Sequence, residues 1–307
     1  MSILEKNYGK WLVYWTLAFI WGTSFILIKK GVEAFPPDIV GTLRIAFTSI
    51  FFLPWALKNI HKISRKNIKS LLIAGFIGNF FPAILFSIAE THIPSALAGM
   101  LNATTPLFTW IVGILIYKAR TSIITFIGIF VGFIGAIGLV INDFNNIFSG
   151  WNVFALFVLL ATLLYGINTN ELKYKLKDLD AISIASLSFF LTGPVAIIYL
   201  LARHYPMAYI HNPVFWKGNL AIITLAFFSS FIAMILFNHF VKYASAVLSA
   251  SITYAIPIFA IFWGVVDGEK IHIHQIIAMI ITITGVYLVN SNIDIKIKKS
   301  IPKTNKI

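Results

Sequence analysis

The stretch WLVYWTLAFIWGTSFILI at residues 11–28 contains no charged residue, and it decides the class of fold. About 20 apolar residues in a helix cross a hydrocarbon core of roughly 30 Å, because an α-helix rises about 1.5 Å per residue. Similar stretches recur along the rest of the chain. We therefore predict ten membrane-spanning helices, at residues 11–32, 37–57, 70–90, 94–116, 122–141, 151–171, 182–202, 218–240, 246–266 and 271–290.

The composition of the 307-residue chain agrees with this prediction. Hydrophobic residues make up 59% and charged residues 11%, with a mean hydropathy of +0.87, so too little polar surface is available for a soluble protein. The chain has no cysteine, which excludes disulfides, thiolate nucleophiles and cysteine-based metal sites. No nucleotide-binding or hydrolase motif lies in a loop where it can act, so we expect neither an enzyme nor a cofactor.

Positive charge is distributed unevenly along the chain, whose formal net charge is +13. If the N-terminus is cytoplasmic, most of the 24 Lys and Arg residues fall in cytoplasmic loops and in the basic tail at 293–307. This bias is what the positive-inside rule predicts. We therefore expect a multi-pass protein of the inner (plasma) membrane with both termini in the cytoplasm, and we expect no nucleic-acid partner.

An internal repeat relates the two halves of the chain, predicted at residues 1–146 and 147–292. Two sequence shifts, of 151 and 144 residues, align polar, aromatic and proline positions of the first half with the second. The aligned pairs are Asn79 with Ser230, Asn102 with Thr253, Pro106 with Pro257, Trp21 with Tyr165, and Ser24 with Asn168. Because each half has an odd number of spans, the second half enters the membrane from the opposite side. This arrangement predicts the inverted repeat of many secondary transporters, with a site where the halves meet.

Several short motifs resemble those of a known family. They are Trp21-Gly22, Leu43-Arg44, Pro106, Pro257 and Gly268-Glu269. In this order, over residues 8–292, the chain resembles the drug/metabolite transporter superfamily, specifically its EamA-like branch. The resemblance implies an all-α membrane fold of ten helices and a carrier, commonly an exporter, for small metabolites such as amino acids. The first half departs from the pattern, because residues 117–120 (YKAR) stand where an acidic residue often follows the fourth helix.

Positions that are polar or aromatic in both halves are candidates for a shared cavity. Polar side chains in the middle of the membrane are energetically costly unless they are hydrogen-bonded or face water. With neighbours on the same helical faces, these positions form the predicted substrate-binding set. Its members are Trp21, Ser24, Asn79, Phe86, Asn102, Tyr165, Asn168, Ser230, Thr253 and Tyr254. Such a lining suits a neutral or zwitterionic solute. Each residue also has a structural interpretation, as a hydrogen bond between helices or a ring at the membrane interface.

A second set of residues is predicted to gate or couple transport. Its members are Arg44, Glu90, Pro106, His239 and Pro257. Arg44 either makes a structural contact or attracts a substrate carboxylate, and Glu90 either caps its span or forms an outer gate with His92. His239 either titrates near neutral pH or is a plain polar cap. Each proline removes a backbone hydrogen bond, which indicates a packing kink or a hinge.

The positions of the acidic and histidine residues argue against two possible functions. All 11 acids lie in loops, tails or span ends, which argues against a proton-coupled exporter of lipophilic cations, because such a carrier needs a carboxylate at mid-depth. His272 and His274 are two residues apart and do not share a helical face, so we expect no metal site.

A stripe of small residues on the fifth span, Gly128, Gly132, Gly135 and Gly138, indicates close helix packing. We expect it to face the tenth span, so that a monomer suffices, with a homodimer contact as the alternative. The predicted function is a secondary transporter that exports amino acids or related solutes by alternating access. A lipid or lipid-linked head-group flippase on the same fold is the alternative, and a small-molecule substrate and membrane lipid are the expected partners.

Overall fold

The computed structural model describes residues 7–119, 122–141, 152–243 and 252–299, and these residues are mainly helical. Among them, eight helices are long and apolar enough to cross a membrane. Two further apolar helices are shorter, Ile252–Val266 and Ile273–Val289. The described part of the chain is therefore an all-helical membrane bundle.

We number the helices α1 to α10 in chain order. The first five are α1 at Asn7–Val32, α2 at Pro37–Asn59, α3 at Ile68–Ala89, α4 at Ser95–Leu115 and α5 at Ile123–Val140. The others are α6 at Ala155–Lys175, α7 at Ala181–Ala202, α8 in three parts at Phe215–Thr224, Leu225–Ile232 and Ala233–Tyr243, α9 at Ile252–Val266 and α10 at Ile273–Lys299. The expected start of the ninth span, at 246, lies outside the described residues.

Helix α6 begins later than the sequence predicts, because Asn152 organises the turn before it. The Asn152 side-chain oxygen accepts a hydrogen bond from the Phe154 amide at 3.0 Å, and its carbonyl accepts one from the Ala155 amide at 3.0 Å. Such local side-chain bonds compete with helix formation. At the other end the helix continues through Lys173 and Lys175, whose positive charges interact favourably with the C-terminal end of the helix dipole.

Three of the helices are interrupted near their centres. The α3 helix contains a π-helical segment at Phe76–Phe80, and α8 contains one at Leu225–Ile232. The α4 helix breaks after Asn102 and resumes at Thr105. Pro106 has no amide proton for the Asn102 carbonyl, and the Thr105 hydroxyl donates to that carbonyl instead, at 2.8 Å. The related Pro257 lies inside the α9 helix, so the two prolines have different structural effects.

The glycine stripe of α5 packs against α10, as predicted. A Cβ atom added to Gly128 would lie 2.8 Å from the Gly285 carbonyl oxygen, and one added to Gly138 would lie 3.0 Å from the Ala278 Cβ. As the residue numbers rise along α5, those of its contacts fall along α10, so the two helices run antiparallel. Gly132 also faces Leu107 of α4.

Two other helix pairs, related by the sequence repeat, also run antiparallel. At one end of the α2–α7 pair, the Arg203 Nε lies 3.2 Å from a carboxylate oxygen of Asp38. At the other end of that pair, the Lys62 ammonium lies 2.9 Å from Asp180. In the α4–α9 pair, Ser95 at the start of α4 contacts Glu269, which follows α9. Three helices of the first half, α2, α4 and α5, thus lie beside α7, α9 and α10 of the second half, with the opposite direction.

We expect the substitution Gly128→Ala to destabilise the protein by about 1–3 kcal/mol, because the added methyl group would meet the backbone of α10 and force the helices apart. Thermal unfolding in detergent measures the effect. Gly138→Ala is the matched control, because its methyl group meets only the Ala278 side chain while the gain in helix propensity is the same. Equal melting temperatures for the two variants would contradict the proposed backbone contact.

Candidate functional site

A hydrogen bond between Arg44 and Ser230 connects the two halves of the chain near the centre of the candidate site. The Arg44 Nε donates to the Ser230 hydroxyl oxygen at 3.1 Å. Arg44 lies in α2, and its neighbour Leu43 is buried in the helix interface. Ser230 lies in the π-helical segment of α8, where the wider backbone turn displaces side chains from the regular helical faces. The guanidinium also interacts electrostatically with Tyr165 of α6 and with Glu90.

Aromatic rings from both halves surround this contact. The Tyr165 ring stacks on Phe86 of α3 with a centroid separation of 6.1 Å, and Phe86 contacts Phe25 of α1 at 5.8 Å. One turn before Phe25 on the same face of α1, the Trp21 indole donates to the Ser229 carbonyl at 3.2 Å. The predicted residues Trp21, Phe86, Tyr165 and Ser230 therefore belong to one connected group, which we call the Arg44 cluster together with Arg44.

Two members of the Arg44 cluster, Arg44 and Tyr165, are only partly buried. Both come from helices of the bundle interior, Arg44 from α2 and Tyr165 from α6. The cluster therefore offers an interior surface with one cation, one phenol and several ring faces.

The predicted residues Asn79 and Asn168 meet at the π-helical segment of α3. Asn168 lies against the backbone of Gly78, where no side chain larger than hydrogen fits. Its Oδ1 atom is buried without a hydrogen-bond partner among the described residues. The Asn79 amide group donates to the Ala74 carbonyl at 2.8 Å, which the π turn leaves available. Asn168 of α6 thus contacts the π-helical segment of α3 at Gly78, whereas the Asn79 amide is used within α3 itself.

Other predicted residues are placed differently. The Tyr254 hydroxyl donates to the Val286 carbonyl of α10 at 3.2 Å, and its ring packs with Leu107, away from the Arg44 cluster. Ser24 is buried and donates to the Ile20 carbonyl of its own helix at 3.3 Å. Asn102 and Thr253 are partly exposed, Pro257 is buried inside α9, and the side chain of His239 lies outside those described.

The structure does not bring Glu90 and His92 together as a gate. The His92 ring stacks on Phe154 with a centroid separation of 3.6 Å and contacts the Thr91 hydroxyl at 2.6 Å. Glu90 is 5% exposed, and neither of its carboxyl oxygens has a hydrogen-bond partner among the described residues.

At the end of the bundle where α1 terminates, Glu269 connects three helices. Its carboxylate accepts hydrogen bonds from the Ser95 amide and hydroxyl, both at 2.9 Å, and from the Ala96 amide at 3.0 Å. The Lys29 ammonium lies 2.7 Å from both Glu269 and Asp267. Burial alone would raise the pKa of Glu269, but the bonds from Lys29, Ala96 and Ser95 outweigh it and lower the pKa. We call this group the Glu269 cluster.

At the opposite end, Glu171 of α6 connects to α3 and α4. It accepts hydrogen bonds from the Ser70 hydroxyl at 2.5 Å and from the Tyr117 hydroxyl at 2.6 Å. Burial and the bond to Glu171 raise the pKa of Tyr117 to about 12, so this donor stays protonated at neutral pH. We call Glu171, Ser70 and Tyr117 the Glu171 cluster. At each end of the bundle, a half-buried or buried glutamate of the second half thus accepts hydrogen bonds from residues of the first half.

Comparison with known proteins identifies the family. The sequence pattern of the EamA-like transporter family matches residues 10–141 and again residues 152–291. The chain belongs to this family. It is therefore a membrane transporter of the EamA type, as the resemblance in the sequence motifs implied.

Relatives of this EamA-like transporter carry transporter names. The "Uncharacterized inner membrane transporter YedA" of Escherichia coli strain K12 is 26% identical over 278 residues, which cover 89% of this chain and 88% of YedA. The "Probable amino-acid metabolite efflux pump" of Salmonella typhimurium is 27% identical over 135 residues, or 41% of each chain. A crystal structure of a protein with 15% sequence identity superposes with a TM-score of 0.60 and covers 96% of this chain, which shows the shared fold.

Sequence analysis of this EamA-like transporter missed the role of Glu171. A signal was present, because Glu171 lies inside the end of α6, three residues after Asn168 and therefore on the same helical face. Its partners Ser70 and Tyr117 are far apart in sequence, so no local pattern indicated that they meet.

We expect Glu269→Ala to reduce the stability of this EamA-like transporter by about 1.5–3 kcal/mol, because it leaves two backbone amides without their charged acceptor and removes one of the two carboxylates bound to Lys29. The control is Glu33→Ala, which removes an exposed ion pair with Lys30 and should cost about 0–1 kcal/mol. Thermal unfolding in detergent compares the two, and a smaller loss for Glu269→Ala than for Glu33→Ala would contradict the assignment.

The Glu269 cluster also predicts a pH dependence of stability. Because the pKa of Glu269 is lowered in the folded state, its contribution is fully present above the ordinary Glu pKa of about 4.3. The contribution is lost as the pH falls through the lower folded value. The difference in melting temperature between wild type and Glu269→Ala should therefore shrink on acidification, and a constant difference would count against the ionised form.

Proposed function

We propose that this protein is a secondary transporter that moves amino acids or related neutral or zwitterionic solutes across the inner membrane by alternating access, in the outward direction. Membership of the EamA-like family supports transport, and the name of the Salmonella relative supports amino-acid metabolites and efflux. The observation that carries the substrate class is the partly buried Arg44, hydrogen-bonded across the halves to Ser230.

The chemistry of the Arg44 cluster fits a zwitterion. A guanidinium presents several N–H donors, and only the Nε is engaged by Ser230, so the terminal nitrogens can bind a carboxylate in a bidentate manner. The Phe86 and Tyr165 rings supply apolar surface for a side chain, and a cationic amino group is favoured over a ring face. In this proposal Asn79 of α3 and Asn168, one turn after Tyr165 on the same face of α6, supply amide groups.

Alternating access follows from two inverted halves. The family pattern matches twice, and helices related by the repeat run antiparallel in the structure. Asn79 and Ser230, which the repeat aligns, lie in π-helical segments in both halves. In this proposal ten helices form two inverted five-helix repeats that rock about the Arg44 cluster. The Glu269 cluster then closes the outer end and the Glu171 cluster the inner end, with both termini in the cytoplasm, and a monomer contains the complete pathway.

Replacement of Arg44 by Gln should abolish most amino-acid flux, because the substrate carboxylate loses its only nearby cation in the cluster. A charged hydrogen bond is worth about 1.5–3 kcal/mol, so we expect a loss in apparent affinity of roughly 10- to 100-fold. Flux of a radiolabelled amino-acid mixture into proteoliposomes measures it. Arg203→Gln is the matched control, because Arg203 lies beyond α7 and pairs with Asp38.

Unchanged flux in Arg44→Gln would remove this residue from the site. If wild-type protein moves no amino acid but scrambles fluorescent phospholipid in the same vesicles, the flippase alternative replaces the proposal.

Replacement of Asn79 or Asn102 by Ala should lower the same flux while the protein still folds, because each removes one amide from the predicted lining. Asn59→Ala is the matched control, since the Asn59 amide donates only to the Trp55 carbonyl at the exposed end of α2. Size-exclusion profiles in detergent establish folding. Wild-type flux in both variants would exclude these two positions from the binding site.

A further inference from the structure

A buried carboxyl group at the end of α3 has no role in the proposed binding site. Glu90 follows Ala89, the last residue of α3, and is 5% exposed. Ala89, Phe86 and Ile93 around it are buried members of one apolar cluster. Neither oxygen of Glu90 has a hydrogen-bond partner among the described residues. A buried polar group of this kind requires an explanation, because most such groups in proteins are paired.

The charged groups that face Glu90 do not neutralise it. They are Lys29 from α1, Arg44 from α2 and Glu269 from the segment after α9. Lys29 is bound at 2.7 Å to both Glu269 and Asp267, and Arg44 is bound to Ser230. On the turn of Glu90 itself, His92 contacts Thr91 and stacks on Phe154. Lys29 thus already has two carboxylate partners, and Arg44 makes no hydrogen bond to Glu90 among the described residues.

An ionised carboxylate in such a site would be almost fully shielded from solvent. Its desolvation favours the neutral acid, because transfer of a charge into a protein interior is far more costly than transfer of a neutral group. The burial of Glu90 therefore favours its protonated form in the conformation described here.

We propose that Glu90 is a proton-binding site that couples solute transport to proton movement, an inference that rests on the alternating-access function proposed above. Opening of the bundle at the Glu269 cluster separates Glu269 from the start of α4 and exposes Glu90 to water. Lys29 or Arg44 can then leave its present partner and act as a counter-ion. The O–H bond of the carboxyl group breaks, the electron pair stays on the carboxylate, and water accepts the proton.

The first test detects the proton directly. At neutral pH, the infrared carbonyl stretch of a protonated carboxylic acid should be present in wild-type protein in detergent, and Glu90→Gln should lose it. Glu33→Gln is the matched control, because Glu33 is an exposed acid at the same end of the bundle and pairs with Lys30. Identical carbonyl signals in wild type and Glu90→Gln would show that Glu90 is ionised and would overturn the proposal.

The second test measures coupling without any substrate, so its failure is distinct from failure of the amino-acid proposal. The chain has no native cysteine, so Ala98→Cys, at a fully buried position near the start of α4, reports opening by its maleimide labelling rate. The labelling rate also depends on the fraction of the cysteine that is thiolate, so it is first divided by that fraction. If opening requires the loss of one proton from Glu90, this corrected labelling rate should rise about tenfold per pH unit over the range in which Glu90 is mostly protonated.

In the Glu90→Gln background the corrected rate should be independent of pH, whereas Glu33→Gln should retain the wild-type slope. An unchanged slope in Glu90→Gln, or a flat wild-type profile, would overturn coupling at this residue. Size-exclusion profiles of each variant show whether it folds. The presence of the protonated-carboxyl band is measured on wild-type protein, so this part of the first test holds even if a variant unfolds.

Discussion

Hydrocarbon offers no hydrogen-bond partners, so a polar group within this bundle is costly unless the chain itself supplies its partner. Many hydroxyl groups donate to a carbonyl of their own helix, as Ser24 and Thr42 do. Several other polar groups find their partners across the two halves. The Trp21 indole binds the Ser229 carbonyl, and the Arg44 guanidinium binds the Ser230 hydroxyl. The Asn170 amide binds the Thr109 carbonyl at 2.8 Å. The contacts that hold the halves together are therefore also the contacts that any solute between the halves must meet or replace.

Much of the fold was accessible from the sequence, because hydrophobic length and small-residue spacing are local properties. The contact of Gly128 with α10 followed from the spacing of glycines alone. The interruptions were harder to predict. Pro106 breaks α4, whereas Pro257 is accommodated inside α9, although the repeat aligns them. The difference depends on the surrounding structure, such as the Thr105 hydroxyl that satisfies the Asn102 carbonyl.

The candidate site was only partly predictable for a related reason. Recurrence in both halves identified Trp21, Tyr165 and Ser230, which the structure joins through shared neighbours. The same criterion selected Ser24, whose hydroxyl instead donates to the Ile20 carbonyl of its own helix. Recurrence shows that a position is polar in both copies, but not which of several helix interfaces it faces. The burial of Glu90 could likewise not be predicted from the sequence, since it depends on residues of other helices that are distant along the chain.

The two ends of the bundle are closed by unequal contacts, and this inequality has a mechanistic consequence. Glu269 binds an ammonium and two backbone amides, whereas Glu171 binds two neutral hydroxyl groups. Hydrogen bonds to an ionised carboxylate are charge-assisted at both ends, but Glu269 accepts more donors and one of them is an ammonium, so the Glu269 cluster is the costlier of the two to open. A solute that binds the Arg44 cluster equally well in both states shifts no equilibrium. Under the proposed alternating access, the end clusters therefore set the balance between the two openings.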